Sequence, residues 1–172
     1  GTALVEILLE RTRATVRVLD ISEYNLDRLQ EAYGKSGRIR PLMGDVRSLP
    51  RLQRAMEDVD ACFHLAALKH VSIGQFNPAE VHATNVQGTQ NVVDAVLDER
   101  RVRVCMLCST DKAVNPTTIY GRSKAMAEDL VLYANRMKGD RPTAFSVYRP
   151  GNFFLSSGSV VEKWLRQRES GI

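Results

Sequence analysis

The chain has 172 residues, 44% of them hydrophobic and 26% charged, with a formal net charge of +4. That is enough for one domain with a real core and the composition of an ordinary soluble globular chain. The charge is dispersed, no basic block stands beside interleaved aromatics, and no apolar run reaches about 18 residues, which argues against nucleic-acid binding and a membrane-spanning segment.

There is no signal-peptide pattern, and three cysteines, an odd number, fit a reducing, cytoplasmic compartment. Cys105 and Cys108 form a Cys-x-x-Cys, but residues three apart on a strand point to opposite faces. No metal site is expected.

Gly1-Thr2-Ala3 leads directly into a helix pattern with Leu4, Ile7 and Leu8 on one stripe, and no strand precedes it. Residues 15–19 (TVRVL) read as a strand ending at Asp20. A helix follows, capped by Ser22, with Leu26, Leu29 and Ala32 facing inward. After a turn at 34–37, residues 38–43 form a weaker strand ending in Gly44-Asp45-Val46. Pro50 opens a short helix, and 59–65 is a buried strand ending in Ala66-Ala67. Residues 68–78 read as a loop carrying Lys69, His70, Ser72 and Asn77. A long helix is expected over 79–99, with Val81, Val86, Val92, Val93 and Val96 among its apolar positions.

The stretch 102–124 (VRVCMLCSTDKAVNPTTIYGRSK) concentrates the chemistry. An apolar strand breaks into Ser109-Thr110-Asp111-Lys112, turns at Asn115-Pro116 and enters a helix carrying Tyr120 and Lys124. Open α/β sheets present ligand-binding groups at such strand ends. Tyr and Lys four apart share a helix face, and a nearby ammonium favours phenolate, so Lys124 is expected to lower the Tyr120 pKa. Tyr-x-x-x-Lys alone is common on helix surfaces; the polar strand end before it gives it weight. The helix runs to about 137, a last strand covers 144–148, Arg149-Pro150-Gly151-Asn152 follows, and Ser159 caps a final helix over 160–168.

Strands alternating with helices give an α/β fold with a doubly wound parallel sheet. In such a sheet Asp20 is either a ribose ligand for NAD or a simple cap residue. The sheet's first strand and Gly-x-Gly-x-x-Gly loop are absent from this chain, with Gly1 standing as the third glycine. The chain therefore reads as a fragment clipped at both ends, a single domain over 1–172, and inactive by itself.

Several strings together, HLAALKHV (64–71), NPAE (77–80), TNVQGTQNV (84–92) with Val93 after it, STDKAVNP (109–116), Tyr120 to Lys124, RPGN (149–152) and SSGSVV (156–161), give the chain a family likeness. It resembles extended short-chain dehydrogenases/reductases with a Rossmann-like fold, and among them the nucleotide-sugar 4,6-dehydratases of polysaccharide biosynthesis (the CapD/FlaA1-like group). Ser72, Pro150, Leu155 and Ser157 depart from the residues usual there.

The resemblance implies a lyase that oxidises carbon 4 of a UDP-sugar, eliminates water across carbons 5 and 6, and returns the hydride to carbon 6. Tyr120 and Lys124 would serve the oxidation. Lys112, with a lowered pKa, would be the base at carbon 5, and Asp111, with a raised one, the acid at the leaving hydroxyl. Thr110, Lys69 and Asn152 would meet substrate, although Lys69 also reads as a solvent-facing lysine. Asp45 and Val46 would sit at adenine, and Ala66 and Ala67 at the pyrophosphate and nicotinamide riboside. Asn85 reads equally as a structural bond to a neighbouring strand. The cofactor would be NAD or NADP, NAD being favoured by Asp20, and the full-length protein a homo-oligomer. Tyr120 points to an inverting enzyme and the segment 22–26 to retaining relatives, so stereochemistry stays open. A sugar epimerase or reductase, and a non-catalytic NAD(P)-binding module, are the competing readings.

Overall fold

The computed structural model describes residues 1–151 together with 164, 167 and 168. The expected helix over 160–168 lies mainly outside the described residues, and Asn152 lies outside them altogether.

Among the described residues, five short parallel strands alternate with helices. Helix α1 (Thr2–Arg11) leads to β1 (Val16–Asp20), α2 (Glu23–Tyr33), β2 (Ile39–Met43), α3 (Leu49–Met56) and β3 (Ala61–His64). Then come α4 (Val71–Phe76), α5 (Pro78–Val81), a π turn (His82–Gln87), α6 (Gly88–Asp98), β4 (Val104–Cys108), α7 (Ile119–Met137) and β5 (Ala144–Tyr148). β1 pairs with β2, and β3, β4 and β5 form a second sheet in that order. A doubly wound sheet runs in the order 3-2-1-4-5-6. These strands occupy its second to sixth places, and among the described residues no strand fills the first place, between β1 and β3.

The pairing is in register at the carboxyl ends. Asp20 is opposite Met43, His64 opposite Leu107, and Cys108 opposite Tyr148. The segments that follow, at Ile21, Gly44, Leu65, Ser109 and Arg149, therefore leave their strands toward the same rim of each sheet.

The main core gathers Val92, Val93 and Val96 of α6 with Leu107, Val131 and Phe145. Each such side chain taken fully out of water contributes about 1.5–3 kcal/mol. Leu19 of β1 packs against this cluster, and Arg17 donates to the carbonyls of Ala55 and Glu57, both at 2.8 Å, so the first sheet is tied to α3. A smaller core joins Val5, Leu9, Leu29 and Ile39.

The valines expected to be apolar along 79–99 are all buried. The expected inward stripe of α1 is shifted: Val5 and Leu9 are buried while Ile7 is 48% exposed. Ala32 is exposed, and Tyr33 packs against the small core instead.

The stretch 68–78 is partly helical rather than a loop, and the single long helix is three pieces. Pro78 stands at the start of α5 and has no N–H to continue α4, while Asn77 before it leaves the helical region with φ −131°. The π turn carries a wide backbone bond from the Gly88 N–H to the Ala83 carbonyl. Apolar periodicity does not register a bulge of one residue.

Candidate active site

The β4 strand ends in a polar turn that the next strand holds in place. Ser109 N–H donates to the Tyr148 carbonyl at 2.7 Å and Asp111 N–H to the Pro150 carbonyl at 3.0 Å, extending the β4–β5 ladder by two bonds. Thr110 then caps a 3-10 turn, Asp111–Ala113, by accepting from Lys112 N–H at 3.3 Å. Asn115 takes a positive φ of 49°, which asparagine tolerates better than most residues. Thr118 caps α7 by accepting from Gly121 N–H at 3.1 Å, which delivers Tyr120 in the first turn.

This geometry brings Thr110, Asp111, Lys112 and Tyr120 together. Lys112 Nζ lies 3.0 Å from Asp111 Oδ1, and Thr110 donates to the same carboxylate at 2.9 Å. Both charged side chains keep about half of their surface in water, at 53% for Asp111 and 44% for Lys112. The ammonium of Lys112, then the Thr110 hydroxyl, hold the Asp111 carboxyl below its ordinary range. The raised value expected of an acid is thus not found, because the partner that makes the pair also stabilises the carboxylate.

Tyr120 is half-buried, and burial pushes its phenol up; a hydrogen bond with Thr110 and the charge of Lys112 pull it down without reversing the direction. Lys124 was expected to provide that pull, but its influence falls elsewhere. It is 2% exposed, one turn inside α7, and burial lowers its pKa to about 8 against the opposing charges of Cys108 and Glu128. Lys112, on the turn facing the helix, is the cation that acts on the phenol.

One turn along α7 from Lys124 is a cluster that the sequence does not single out, buried at Glu128 and Ser109 and exposed at Arg149. Glu128 accepts from Arg149 through Nε at 3.0 and 2.9 Å and through Nη2, and from the Ser109 hydroxyl. Burial raises the Glu128 carboxyl, but the bonds from Arg149 and Ser109 outweigh it and the net direction is down. Glu128 follows Lys124 by four residues, so helical spacing alone placed the two on one face.

Asn85 proves structural in a specific sense. Its Oδ1 accepts from Leu68 N–H at 2.8 Å, and its Nδ2 donates to the Leu68 carbonyl and the Ser123 hydroxyl, both at 3.0 Å. It thus pins the segment after Ala66 and Ala67 to the helix bearing Tyr120. Lys69 is exposed on that segment.

The remaining expected cofactor residues also follow strand ends. Asp20 accepts from Ser22 N–H at 2.8 Å and from the Asn25 side chain at 3.4 Å, so it steadies the start of α2. Asp45 accepts from Arg47 Nε at 2.7 Å, and that guanidinium also reaches Glu80 at 3.0 Å and holds the Asp45 carboxyl low. Val46 is buried and its carbonyl accepts from Asn91 at 3.0 Å. Ala66 is exposed and Ala67 half-buried. Gly1 was expected to permit close helix packing, but it is exposed and a Cβ there would meet no described atom within 4 Å.

A family model described as polysaccharide biosynthesis protein matches residues 1–172. The chain belongs to this family. Among curated relatives, an uncharacterized membrane protein of Methanocaldococcus jannaschii is 46% identical over 171 residues, covering 99% of this chain and 51% of that protein. A UDP-N-acetylglucosamine 4,6-dehydratase (inverting) of Campylobacter jejuni is 40% identical, covering 94% and 48%. A UDP-glucose 4-epimerase of Rickettsia massiliae is 36% identical, covering 91% and 45%. The chain thus spans about half the length of these family relatives. Among solved structures, Pen from Bacillus thuringiensis superposes with a TM-score of 0.94 at 39% identity, covering 98% of this chain and 54% of that one. MoeE5 in complex with UDP-glucose and NAD gives 0.71 at 26% identity, covering 87% and 50%. Among the described residues of this family member, no helix is long and apolar enough to cross a membrane.

Proposed function

We propose that the full-length protein carrying this chain is an NAD(P)-dependent nucleotide-sugar 4,6-dehydratase acting on a UDP-sugar of the UDP-N-acetylglucosamine type. The observation that carries this reading is the ion pair Asp111–Lys112 beside Tyr120. A sugar epimerase or reductase needs the tyrosine and a lysine. Elimination of water needs a second acid–base couple within reach of the same sugar ring.

The strand ends fit a dinucleotide. Asp20 would hold the adenosine ribose and Asp45 with Val46 the adenine; both oxygens of Asp20 and Oδ1 of Asp45 retain a lone pair beyond their present bonds, while Asp45 Oδ2 is taken by Nε and Nη2 of Arg47. The small side chains of Ala66 and Ala67 leave the backbone open to the pyrophosphate and nicotinamide riboside. Lys124 would hold the nicotinamide ribose. When bound, NAD(P) supplies a hydride acceptor at carbon 4 and gives the hydride back at carbon 6.

Tyr120 takes the proton of the carbon 4 hydroxyl, with the charge of Lys112 favouring its phenolate. Lys112 then removes the proton of carbon 5, and Asp111 protonates the departing carbon 6 hydroxyl. Those roles require neutral lysine and protonated aspartate, whereas the chain alone holds the charged pair. The two states contain the same number of protons and differ by one transfer across the 3.0 Å contact. A sugar covering the half-exposed pair removes water from it, and desolvation favours the neutral form.

The test is incubation of the full-length protein with UDP-N-acetylglucosamine in deuterated water. A 4-keto-6-deoxy sugar carrying solvent deuterium at carbon 5 supports the dehydratase, and its configuration at carbon 5 separates inverting from retaining chemistry. The likeness to a UDP-glucose 4-epimerase keeps a second reading open, for which the sole product would be the carbon 4 epimer without deuterium at carbon 5.

A further inference from the structure

One buried hydrogen-bonded chain has no part in the proton transfers above. His64 closes β3 at 4% exposure, and Thr89 lies in the first turn of α6 with no exposed surface. His64 Nε2 is 3.0 Å from Thr89 Oγ1, and Thr89 donates its one hydroxyl proton to the Asn85 carbonyl at 2.6 Å. With that proton committed, the hydroxyl oxygen can only accept from the imidazole, so the His64 proton sits on Nε2. Asn85 then grips both backbone groups of Leu68 and the Ser123 hydroxyl, and Ser123 donates to the Tyr120 carbonyl at 2.8 Å. The chain of bonds runs from the end of β3 to the peptide of the tyrosine.

Asn85 lies in the π turn, where backbone bonds are wider than in an α-helix. Its carbonyl is supplied with a donor by the Thr89 side chain reaching back four residues. A threonine hydroxyl bonded back to the carbonyl four residues earlier bends a helix locally, so the threonine rotor matters to the turn's shape.

We propose that His64 is a positioning residue: its Nε2–H locks the Thr89 hydroxyl onto the Asn85 carbonyl and so aims the Asn85 amide at Leu68 and Ser123. The segment 65–70 and the first turn of α7 are thereby held where Tyr120 meets Asp111 and Lys112. Burial, with the charge of Lys124, keeps the imidazole neutral by lowering its pKa to about 3, so one uncharged form serves throughout the neutral range.

The kinetic part of the test rests on the dehydratase reading; the spectroscopic part does not. In the full-length protein, nitrogen NMR of the His64 ring should show Nε2 protonated, and the Leu68 amide should be protected from hydrogen exchange. Thr89→Val keeps the side-chain shape and removes the hydroxyl. It should release the Leu68 amide and lower kcat on the order of tenfold or more with KM little changed, and Thr89→Ser should restore both. A proton on Nδ1 in the unmodified protein, or an unchanged Leu68 exchange rate in Thr89→Val, overturns the proposal. So does unchanged exchange in His64→Phe when circular dichroism shows that variant folded. If the unmodified protein does not dehydrate UDP-N-acetylglucosamine, the function reading fails while ring and amide signals still decide this one.

Discussion

Gly121 stands against Lys112: a Cβ at residue 121 would lie 2.4 Å from the Lys112 carbonyl oxygen and 3.1 Å from Pro116 Cβ. The nearer atom is backbone, so no side-chain rotation relieves the clash. The close approach is what lets α7 deliver Tyr120 beside the turn that carries the acid–amine pair. Gly121→Ala should push that turn off the helix, costing about 1–3 kcal/mol of stability as an overpacked site does. Turnover should fall by far more than the stability loss explains, on the order of 100-fold. Thermal unfolding and kcat measured on the same preparation check this; a variant with native turnover would show the spacing to be unimportant.

The two members of the pair should differ at the carbon 5 proton. Lys112→Ala should lose its exchange with solvent outright, whereas Asp111→Asn should lose water elimination and keep only a residual exchange that grows with pH, because Lys112 then has no carboxylate to take its proton and must lose it to solvent. Each should lower product formation by roughly 10²–10⁴-fold. Proton NMR of the sugar in deuterated water reads both. Full exchange in Lys112→Ala would assign the base elsewhere.

Lys124 makes a prediction about pH. Burial holds it at about 8 in the folded chain, below its ordinary 10.5. Between those values the unfolded chain binds more protons, so stability rises with pH across that window. Below about 8 both states are protonated and the cost of burying the ammonium is present in full. Denaturant midpoints for the unmodified protein, taken relative to Lys124→Met, should therefore climb from about pH 8 to 10.5. Groups that do not feel Lys124 cancel between the two proteins; the Cys108 thiol does feel it, so both are measured in a Cys108→Ala background. A flat difference would mean that the ammonium is solvated in the fold.

What the sequence revealed follows from which interactions are local. The strand ends at Asp20, Gly44, Ala66 and Ser109 were legible because apolar runs stop there. The valine stripe of α6 was legible because burial recurs at helical spacing. The π turn was not, since no Gly or Pro within 82–87 marks the widened backbone. The Tyr120–Lys112 relationship was also hidden: helical spacing names Lys124 as the neighbour, while the turn before α7 folds back and presents Lys112. Arg149 and Glu128 are 21 residues apart, and the packing of α7 against β5 brings them together.

That last pair bears on both stability and the site. Glu128 keeps 3% of its side-chain surface, whereas Arg149 keeps 51%. Removing Arg149 leaves a buried carboxylate with the Ser109 hydroxyl but without its cation. A fully buried pair broken this way loses about 3–5 kcal/mol; with the arginine half in water and solvent screening the contact, a smaller loss is expected for Arg149→Leu. The carboxyl is held low in the fold, so its favourable contribution is present above its ordinary pKa and lost as pH falls through the folded value. Arg149→Leu should erase that acid-side dependence, and Glu128→Gln, which keeps a hydrogen-bond acceptor and needs no cation, should be the milder change. Because Arg149 immediately precedes Pro150, whose carbonyl accepts from Asp111 N–H, the loss should also loosen the turn bearing the pair. Midpoints for the two variants as pH is lowered through the carboxylate range, with turnover at neutral pH, test this; equal midpoints in Arg149→Leu and the unmodified protein would show that solvent already screens the contact.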